Sequence, residues 1–385
     1  MSRGNITRRG KSSWRLKFEL EGEADGKRQT RYVTVRGKRA DAERELTRLL
    51  SAADGGTLVE PRKTTVAEYI RAWLEGAHGL SAKTLERYRE LSEGQIIPHI
   101  GSVVLQRLRP SAIQEWHAKL LAGGGKEGRP LSARTVGHAH RVLHRALQRA
   151  VETEVLARNV ASTISPPTVE SEEVEILDAG QIALVLERLS GHPLYEISAL
   201  ALATGMRRGE LLGLRWADID LDGAAVRVER SLEETKAGLR LKPPKTKRGR
   251  RSISLPPSAV QVLRDHKVRQ LEHRVALGLG KLEPEALVFC ELDGSPMSPR
   301  AITGAWRRAC VSLKLPLVML HALRHTHASA LIAAGLDVVT ISRRLGHANP
   351  TVTLNTYAHL FRQTDSVAAE AIEAAMGTGK RTDRG

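Results

Sequence analysis

His321 and Arg324 are two side chains that can bind a phosphate group, and they stand three residues apart. At this spacing, one turn of a helix presents an imidazole and a guanidinium on the same face. A guanidinium matches two phosphate oxygens with a pair of hydrogen bonds, and an imidazole can donate another. The pair therefore indicates a site for a phosphate or another anion.

A second histidine and a tyrosine follow in the same segment. His347 comes directly after Gly346, where the helical pattern is expected to end, and Tyr357 stands ten residues beyond His347. Phenolate is a competent nucleophile at phosphorus, and nearby cations are expected to favour loss of the tyrosine proton. These groups suit nucleophilic attack on a phosphodiester.

A metal site is the main alternative for this segment. Five of the chain's 14 histidines fall within 39 residues, and His321 and His325 would share one helix face. A zinc-protease helix needs a glutamate directly after the first histidine, where this chain has Ala322. One acidic residue, Asp337, lies in 323–360, and the interleaved arginines repel a cation. We therefore expect no metal ion.

Two upstream stretches add charged groups. ATGMRRGELLGLRW carries Arg207 with Glu210 one turn on, and KPPKTKRGRRSISLP carries Lys245 at a predicted turn between strands. Neither stretch is specific alone, since basic turns are common on protein surfaces. The informative feature is the order along the chain: Arg, Lys, His-x-x-Arg, Gly-His and Tyr.

The charge of the chain indicates a polyanionic partner. Its 385 residues include 60 Lys and Arg against 43 Asp and Glu, a net charge of +17. Nucleic acid is the first expectation and an anionic membrane surface the second. Only 3% of residues are aromatic, which argues against stacking on single-stranded bases and favours duplex DNA bound through its phosphates.

The sequence gives no indication of export. The opening residues lack the apolar core of a secretory signal, and no run approaches the ~18 apolar residues that cross a bilayer. Two cysteines, Cys290 and Cys310, are too few for a disulfide scaffold and suit a reducing cytosol. We expect a cytoplasmic protein with no membrane partner.

A multidomain fold is predicted, beginning with a small α+β sheet domain at 1–60. SWRLKFEL and TRYVTVRG alternate apolar and polar residues around the turn-forming EGEADGK, and RADAERELTRLLSAAD has a helical pattern. A basic sheet can enter a DNA groove, and a solvated basic surface is the alternative. The DNA-binding candidates here are Arg8, Arg9 and Lys11.

An all-α helical domain is predicted at 64–165, where Thr65 and Ser81 are expected helix caps. A long helix in LSARTVGHAHRVLHRALQRAVETEVL carries a basic stripe, which faces either DNA or solvent. The stripe consists of Arg134, Arg141, Arg145 and Arg149.

An acidic, Pro-containing stretch, 165–177, is a predicted linker. Beyond it, residues 173–375 are predicted to form a mixed, mainly α domain with a small antiparallel sheet, and residues 376–385 a disordered tail.

The ordered motifs resemble the tyrosine recombinase, or phage integrase, family over nearly the whole chain. ATGMRRGELLGLRWADID is similar to the family's first box, HALRHTHASALIAAGLDVVTISRRLGH to its second, and TLNTYAHL to the nucleophile segment. The first two blocks resemble the arm-binding and core-binding domains of larger integrases. The resemblance implies a catalytic set of Arg207, Lys245, His321, Arg324, His347 and Tyr357. Lys247 is a close rival of Lys245, because the match there is loose.

The resemblance implies a site-specific DNA recombinase that integrates or excises a phage or other mobile element. Tyr357 would attack the scissile phosphate and form a 3′-phosphotyrosyl bond, two arginines would bind the phosphate oxygens, and Lys245 would protonate the leaving 5′-hydroxyl. His321 and His347 would hydrogen-bond the phosphate or assist proton transfer.

Glu210 is expected to support the site by orienting its neighbours. His325, His327 and His359 are assigned no chemical role, and structural packing is the expectation for them. No cofactor is expected, because the covalent ester conserves the bond energy. The implied partners are double-stranded DNA attachment sites, three further copies in a homotetramer on DNA, a directionality factor and a host DNA-bending protein, all in a bacterial host cell.

Two other functions use parts of the same pattern. A sequence-specific DNA-binding regulator would explain a helix-turn-helix around Gly335, but it would not need Arg207, Lys245 and Tyr357 together. A type IB topoisomerase shares the chemistry, but it has no need of a separate N-terminal DNA-binding block.

Overall fold

The computed structural model describes residues 4–20, 29–54, 62–170, 174–244 and 247–361, together with 369, 372–374 and 376. The chain divides into two compact units, 1–170 and 171–385. No helix in the described ranges combines the length and apolar character needed to cross a membrane. The predicted tail at 376–385 lies outside the described residues apart from its first position.

The N-terminal part of the first unit is a three-stranded antiparallel sheet that packs on one helix. Its elements are β1 (Gly4–Gly10), β2 (Ser13–Leu20), β3 (Gln29–Arg36) and α1 (Arg39–Asp54), in the strand order β1-β2-β3. Alternation along β2 places Leu16 and Phe18 on one face, where they pack with Leu46 and Leu49 of α1. The predicted strands and helix are confirmed, and the predicted turn at 21–27 lies outside the described residues.

The rest of the first unit is helical. Its helices are α2 (Val66–Glu75), α3 (Ala82–Leu91), α4 (Ile97–Ile100), α5 (Pro110–Gly123) and α6 (Ala133–Glu152). Thr65 and Ser81 cap α2 and α3 as predicted, because each side chain accepts a backbone N–H three residues on. The apolar face of α6 buries Val136, Leu143 and Leu147 in the common core.

The second unit combines helices with two small antiparallel sheets. Its helices are α7 (Ala179–Arg188), α8 (Tyr195–Thr204), α9 (Arg208–Leu212), α10 (Pro257–Ala276), α11 (Pro299–Ser312), α12 (Ala322–Ala333), α13 (Val338–Leu345) and α14 (Pro350–Tyr357). Its strands are β4 (Ile219–Asp220), β5 (Ala225–Val228), β6 (Ser231–Thr235), β7 (Gly238–Lys242) and β8 (Arg251–Ser254). One small antiparallel sheet was predicted, and the described residues of this unit form two, since β4-β5-β8 make one sheet and β6 pairs with β7 in another.

Helix α12 lies between two hydrophobic clusters of the second unit. Leu323 belongs to the main cluster, whereas Ala328 and Ile332 join a smaller one with Leu345 of α13 and Tyr357 of α14. Apolar packing on both sides of α12 thus brings the predicted His-x-x-Arg turn to the ends of α13 and α14.

Candidate active site

Arg324 is the buried centre of the candidate site. It is 3% exposed, and its Nη1 and Nη2 donate to the carbonyls of Gly205 (2.6 Å) and Leu345 (2.9 Å). These carbonyls stand at the C-terminal ends of α8 and α13, where unpaired carbonyls favour a cation. Burial and the charge of Arg207 lower the pKa of Arg324 to about 9, so the guanidinium stays protonated at neutral pH.

Gly205 allows the end of α8 to pack closely against α12 and α13. It ends α8 in the left-handed region, with φ 64°. A Cβ at this position would lie 2.6 Å from Cδ2 of His327 and 2.8 Å from Cδ2 of Leu345, both severe overlaps. The chain then continues through one residue to Arg207, which this turn places beside Arg324.

Glu210 holds Arg207 in place. Its Oε2 accepts the backbone N–H of Arg207 (2.9 Å), and its Oε1 accepts from Arg207 Nη1 (2.9 Å). Arg207 Nη2 donates to the carbonyl of Gly346 (3.0 Å), and 41% of the Arg207 side chain remains exposed. Burial alone would raise the pKa of Glu210, but the hydrogen bond and charge of Arg251 and the charge of Arg207 outweigh it and lower that pKa.

Arg251 is a supporting residue that the sequence analysis missed. Its Nη2 donates to Glu210 Oε2 (2.9 Å), and its Nε donates to the carbonyl of Arg344 at the end of α13 (2.6 Å). The side chain is 6% exposed. Strand alternation was the available signal, because Arg251 shares a face of β8 with the buried Ile253.

His347 follows the predicted helix end. Gly346 ends α13 in the left-handed region (φ 67°), which confirms that prediction. The His347 Nδ1 lies 2.8 Å from the Thr353 hydroxyl. Burial and the charges of Arg324 and other neighbouring cations lower the pKa of His347 to about 3. The imidazole is therefore neutral at neutral pH.

His321 stands at the N-terminal end of α12 and is exposed to solvent. Partial burial and the charges of His325, Arg324 and Arg207 lower its pKa to about 4. His321 therefore lies within electrostatic range of both arginines. Like His347, it can donate a hydrogen bond at neutral pH without adding a charge.

Tyr357 is almost fully enclosed at the end of α14. It is 1% exposed, and its hydroxyl lies 2.7 Å from Nδ1 of His325. Burial raises the pKa of Tyr357 to about 12, and the charge of Arg324 offsets this only in part. The charge of Arg324 does favour proton loss, as expected, but burial is the larger effect and the pKa of Tyr357 rises overall.

Two family models match the chain. The model of the phage integrase family matches residues 175–364, and the model of the phage integrase N-terminal SAM-like domain matches residues 65–121. The chain belongs to the phage integrase family. The first match contains every residue placed in the site above.

Similar proteins carry the same family names. A tyrosine recombinase XerC-like protein of Caldanaerobacter subterraneus is 28% identical over 96% of this chain and 97% of its own. The integrase of Mycobacterium phage L5 is 29% identical over 83% of this chain and 80% of its own. The Tn1549 transposon integrase, solved with transposon right end DNA, has a TM-score of 0.67 at 24% identity, covering 81% of this chain and 99% of that one. The last likeness confirms a multidomain tyrosine-integrase fold.

The general-acid lysine of this family member stays a prediction. Lys245 lies outside the described residues, and Lys247 opens a 3₁₀ turn, Lys247–Gly249. No three His, Cys, Asp or Glu side chains in the described ranges are grouped so as to bind a metal ion.

The histidines assigned to packing behave differently from one another. His327 Nδ1 donates to the Leu202 carbonyl (2.7 Å), and its Nε2 accepts from Arg344 (3.0 Å), so it links α12 to α8 and α13. His359 lies in the turn after α14. His325 instead contacts the hydroxyl of Tyr357, which the sequence analysis did not foresee.

The N-terminal DNA-binding candidates lie at one edge and one turn of the sheet. Arg8 sits opposite Trp14, its guanidinium 5.9 Å from that ring, and Arg9 and Lys11 are exposed beside it. The face away from α1 carries two further basic residues of β2 that the sequence analysis did not name, Arg15 and Lys17. Arg15 lies 5.5 Å from the ring of Tyr32, which is 60% exposed.

The four arginines of α6 lie on one exposed face of that helix, as predicted. Three of them line a groove of about 670 Å³ with Trp73 and Tyr88. Arg145 lies against the Tyr88 ring at 6.0 Å, whereas Arg149 is paired with Glu152 (3.1 Å). Arg141 and Arg145 are thus better placed than Arg149 to meet a phosphate.

Proposed function

We propose that this member of the phage integrase family is a site-specific DNA recombinase, which integrates or excises a phage or other mobile element through a 3′-phosphotyrosyl intermediate. The supporting observation is that Arg324 and Arg207 donate to the adjacent carbonyls of Leu345 and Gly346, and that the charge of Arg324 also acts on the Tyr357 hydroxyl. A phosphodiester there would meet a nucleophile and two cations together.

In the proposed cleavage, the Tyr357 oxygen bonds to phosphorus as the bond to the 5′-oxygen breaks. Arg207 and Arg324 bind the non-bridging oxygens, since a guanidinium has five N–H donors and each uses two nitrogens on protein partners. His321 and His347 donate further hydrogen bonds. Removing one preorganised donor of this kind typically costs on the order of 10²–10³ in rate.

The leaving 5′-oxygen takes its proton from a lysine, which we assign to Lys245 with Lys247 as its rival. A 5′-hydroxyl from a partner strand then attacks the phosphotyrosyl ester and frees Tyr357. No cofactor enters this scheme, because the ester retains the energy of the cleaved bond.

Three domains share the binding of DNA in this proposal. The α+β domain at 1–60 binds arm-type sites, the helical domain at 64–165 binds the core site, and the mainly α domain at 173–375 catalyses. Support comes from the basic open face of the N-terminal sheet and from the arginine-lined groove along α6. Phosphate contacts of this kind make affinity fall steeply with salt.

The proposed assembly is a homotetramer on two attachment sites in the cytoplasm of a bacterial host. The lambda integrase tetramer bound to a Holliday junction, which shares the fold at a TM-score of 0.57, supports this arrangement. A directionality factor and a host DNA-bending protein complete the predicted set of partners.

Tyr357→Phe tests the proposal directly. The variant should bind a nicked duplex taken from the DNA that borders the gene, yet form no covalent protein–DNA adduct on a denaturing gel. Phenylalanine keeps the ring and removes only the hydroxyl. An adduct that persists in the variant would show that another side chain is the nucleophile.

A further inference from the structure

His325 is the residue that contacts the hydroxyl of the proposed nucleophile. Its Nδ1 lies 2.7 Å from the Tyr357 oxygen, and the two rings meet at 62° with centroids 5.6 Å apart. The His321 ring also packs edge-on against His325, at 88° with centroids 4.8 Å apart. The imidazole therefore contacts two rings, with one nitrogen directed at the phenolic oxygen.

The tyrosine needs such a partner because its own environment opposes ionisation. Burial raises the pKa of Tyr357 to about 12, so very little phenolate exists at neutral pH. Burial, followed by the charge of Arg324, holds the pKa of His325 below its usual value. A neutral imidazole whose Nδ1 carries no proton can accept the hydroxyl hydrogen.

The other groups around this hydroxyl are less suited to the task. Arg324 has donors only and cannot accept a proton. His347 uses Nδ1 on the Thr353 hydroxyl, and the ring of His321 packs on His325. Both of these imidazoles have lowered pKa values and are neutral at neutral pH, so Arg324 is the cation whose charge acts on His325 in the part of the chain that the structure describes.

We propose that His325 is a catalytic residue that accepts the proton of Tyr357 during strand cleavage. The inference rests on the proposed function and adds a step to it. The phenolic proton moves to Nδ1 as the oxygen bonds to phosphorus and the bond to the 5′-oxygen breaks. The lysine protonates that leaving oxygen. On rejoining, the imidazolium returns its proton to Tyr357 as the incoming 5′-hydroxyl gives its own to the lysine.

His325→Asn is the sharpest perturbation. The asparagine Oδ1 can take the place of Nδ1 as a hydrogen-bond acceptor, but it cannot take up a proton. General base catalysis by a positioned side chain contributes about 10²–10⁴ in rate. Single-turnover cleavage of the nicked duplex should slow by that factor, while binding of the duplex and thermal stability stay close to wild type.

The pH profile separates proton transfer from positioning. Wild-type cleavage should rise with pH while His325 loses its proton, then level off below neutrality because its pKa is lowered. In His325→Asn the rate should keep rising, roughly tenfold per pH unit, towards the pKa of the tyrosine. His325→Asp restores a proton acceptor and should recover part of the lost rate.

His359→Gln is the matched control, since it removes an imidazole two residues beyond Tyr357 and should leave rate and profile unchanged. A duplex with a 5′-bridging sulfur, which leaves without needing a proton, should not rescue His325→Asn. Rescue by sulfur would place His325 on the leaving group and overturn the inference. An unchanged rate and profile in His325→Asn would also overturn it, whereas a wild-type protein that forms no adduct would overturn the proposed function itself.

Discussion

Replacing Arg251 with methionine is expected to lower the free energy of unfolding of the second unit by about 3–5 kcal/mol, the usual cost of breaking a buried ion pair by removing one partner. The side chains of Arg251 and Glu210 are 6% and 3% exposed, and their contact is 2.9 Å. Methionine keeps most of the volume but leaves the buried carboxylate with one cation, Arg207, and removes donors from the carbonyls of Gly249 and Arg344.

The pH dependence of this loss tests its cause. In the wild type, the pKa of Glu210 lies below its ordinary value, so its contribution to stability is present above the ordinary pKa and is lost as pH falls through the folded one. Without Arg251, burial should raise that pKa, and protonation should then remove the penalty of a buried charge. The stability difference between the two proteins should therefore shrink between about pH 7 and about pH 4.

The assay is calorimetric unfolding of the full chain at several pH values, with Arg250→Met as the control. Arg250 precedes Arg251 in the chain, but its side chain is 61% exposed, and its ion pair with Glu229 spans 3.6 Å. Such a surface pair is worth about 0–1 kcal/mol. A loss in Arg251→Met no larger than in this control, or a difference from wild type that does not change with pH, would show that the buried ion pair with Glu210 is not the cause.

Three further predictions concern strand cleavage, DNA binding and stability at low pH. Strand cleavage should persist in EDTA, because Arg207 and Arg324 supply the positive charge at phosphorus; a strict requirement for a divalent cation in the gel assay would contradict this. Deleting residues 1–60 should leave core-site cleavage intact but remove high-affinity binding to arm sites and flatten the salt dependence on long DNA, as mobility-shift titrations will show. His140, which bonds to His117 at 3.1 Å in the helical core, has a pKa lowered by burial to about 4. As pH falls, His140 binds a proton in the unfolded chain before it does so in the folded one. The free energy of unfolding of the first unit should therefore fall by up to about 3 kcal/mol between the usual histidine pKa and about pH 4. Unfolding measurements over this pH range that show no such loss would contradict the prediction.

The sequence predicted local structure well, at the site and elsewhere in the chain, because contacts between residues that are close in sequence determine it. Thr65 and Ser81 cap their helices through hydrogen bonds to residues three positions away. The helix before His347 ends at Gly346, since glycine adopts the left-handed backbone without strain. The His-x-x-Arg spacing fixes one face of α12 for the same reason, as it depends only on the helical repeat.

The long-range contacts of the site could not be predicted from the sequence. Arg324 bonds to the carbonyls of Gly205 and Leu345, which are far away in the chain and meet only when α8, α12 and α13 pack together. Every residue has a backbone carbonyl whatever its type. No sequence motif could therefore indicate that these two carbonyls bind Arg324. Arg251 was not predicted as a site residue because its role depends on its contact with Glu210, which lies in a different element.

Residue types and spacing were enough to predict which chemical groups this protein has and their order along the chain, namely two arginines, a lysine, two histidines and a tyrosine, together with the helix end at Gly346. The tertiary structure alone decided how those groups behave. Burial makes Tyr357 a poor acid. His325, for which packing was expected, contacts the Tyr357 hydroxyl because α12 and α14 meet at that point. Burial and proximity are properties of the packed chain, and they set pKa values and hydrogen bonds that residue types and spacing leave open.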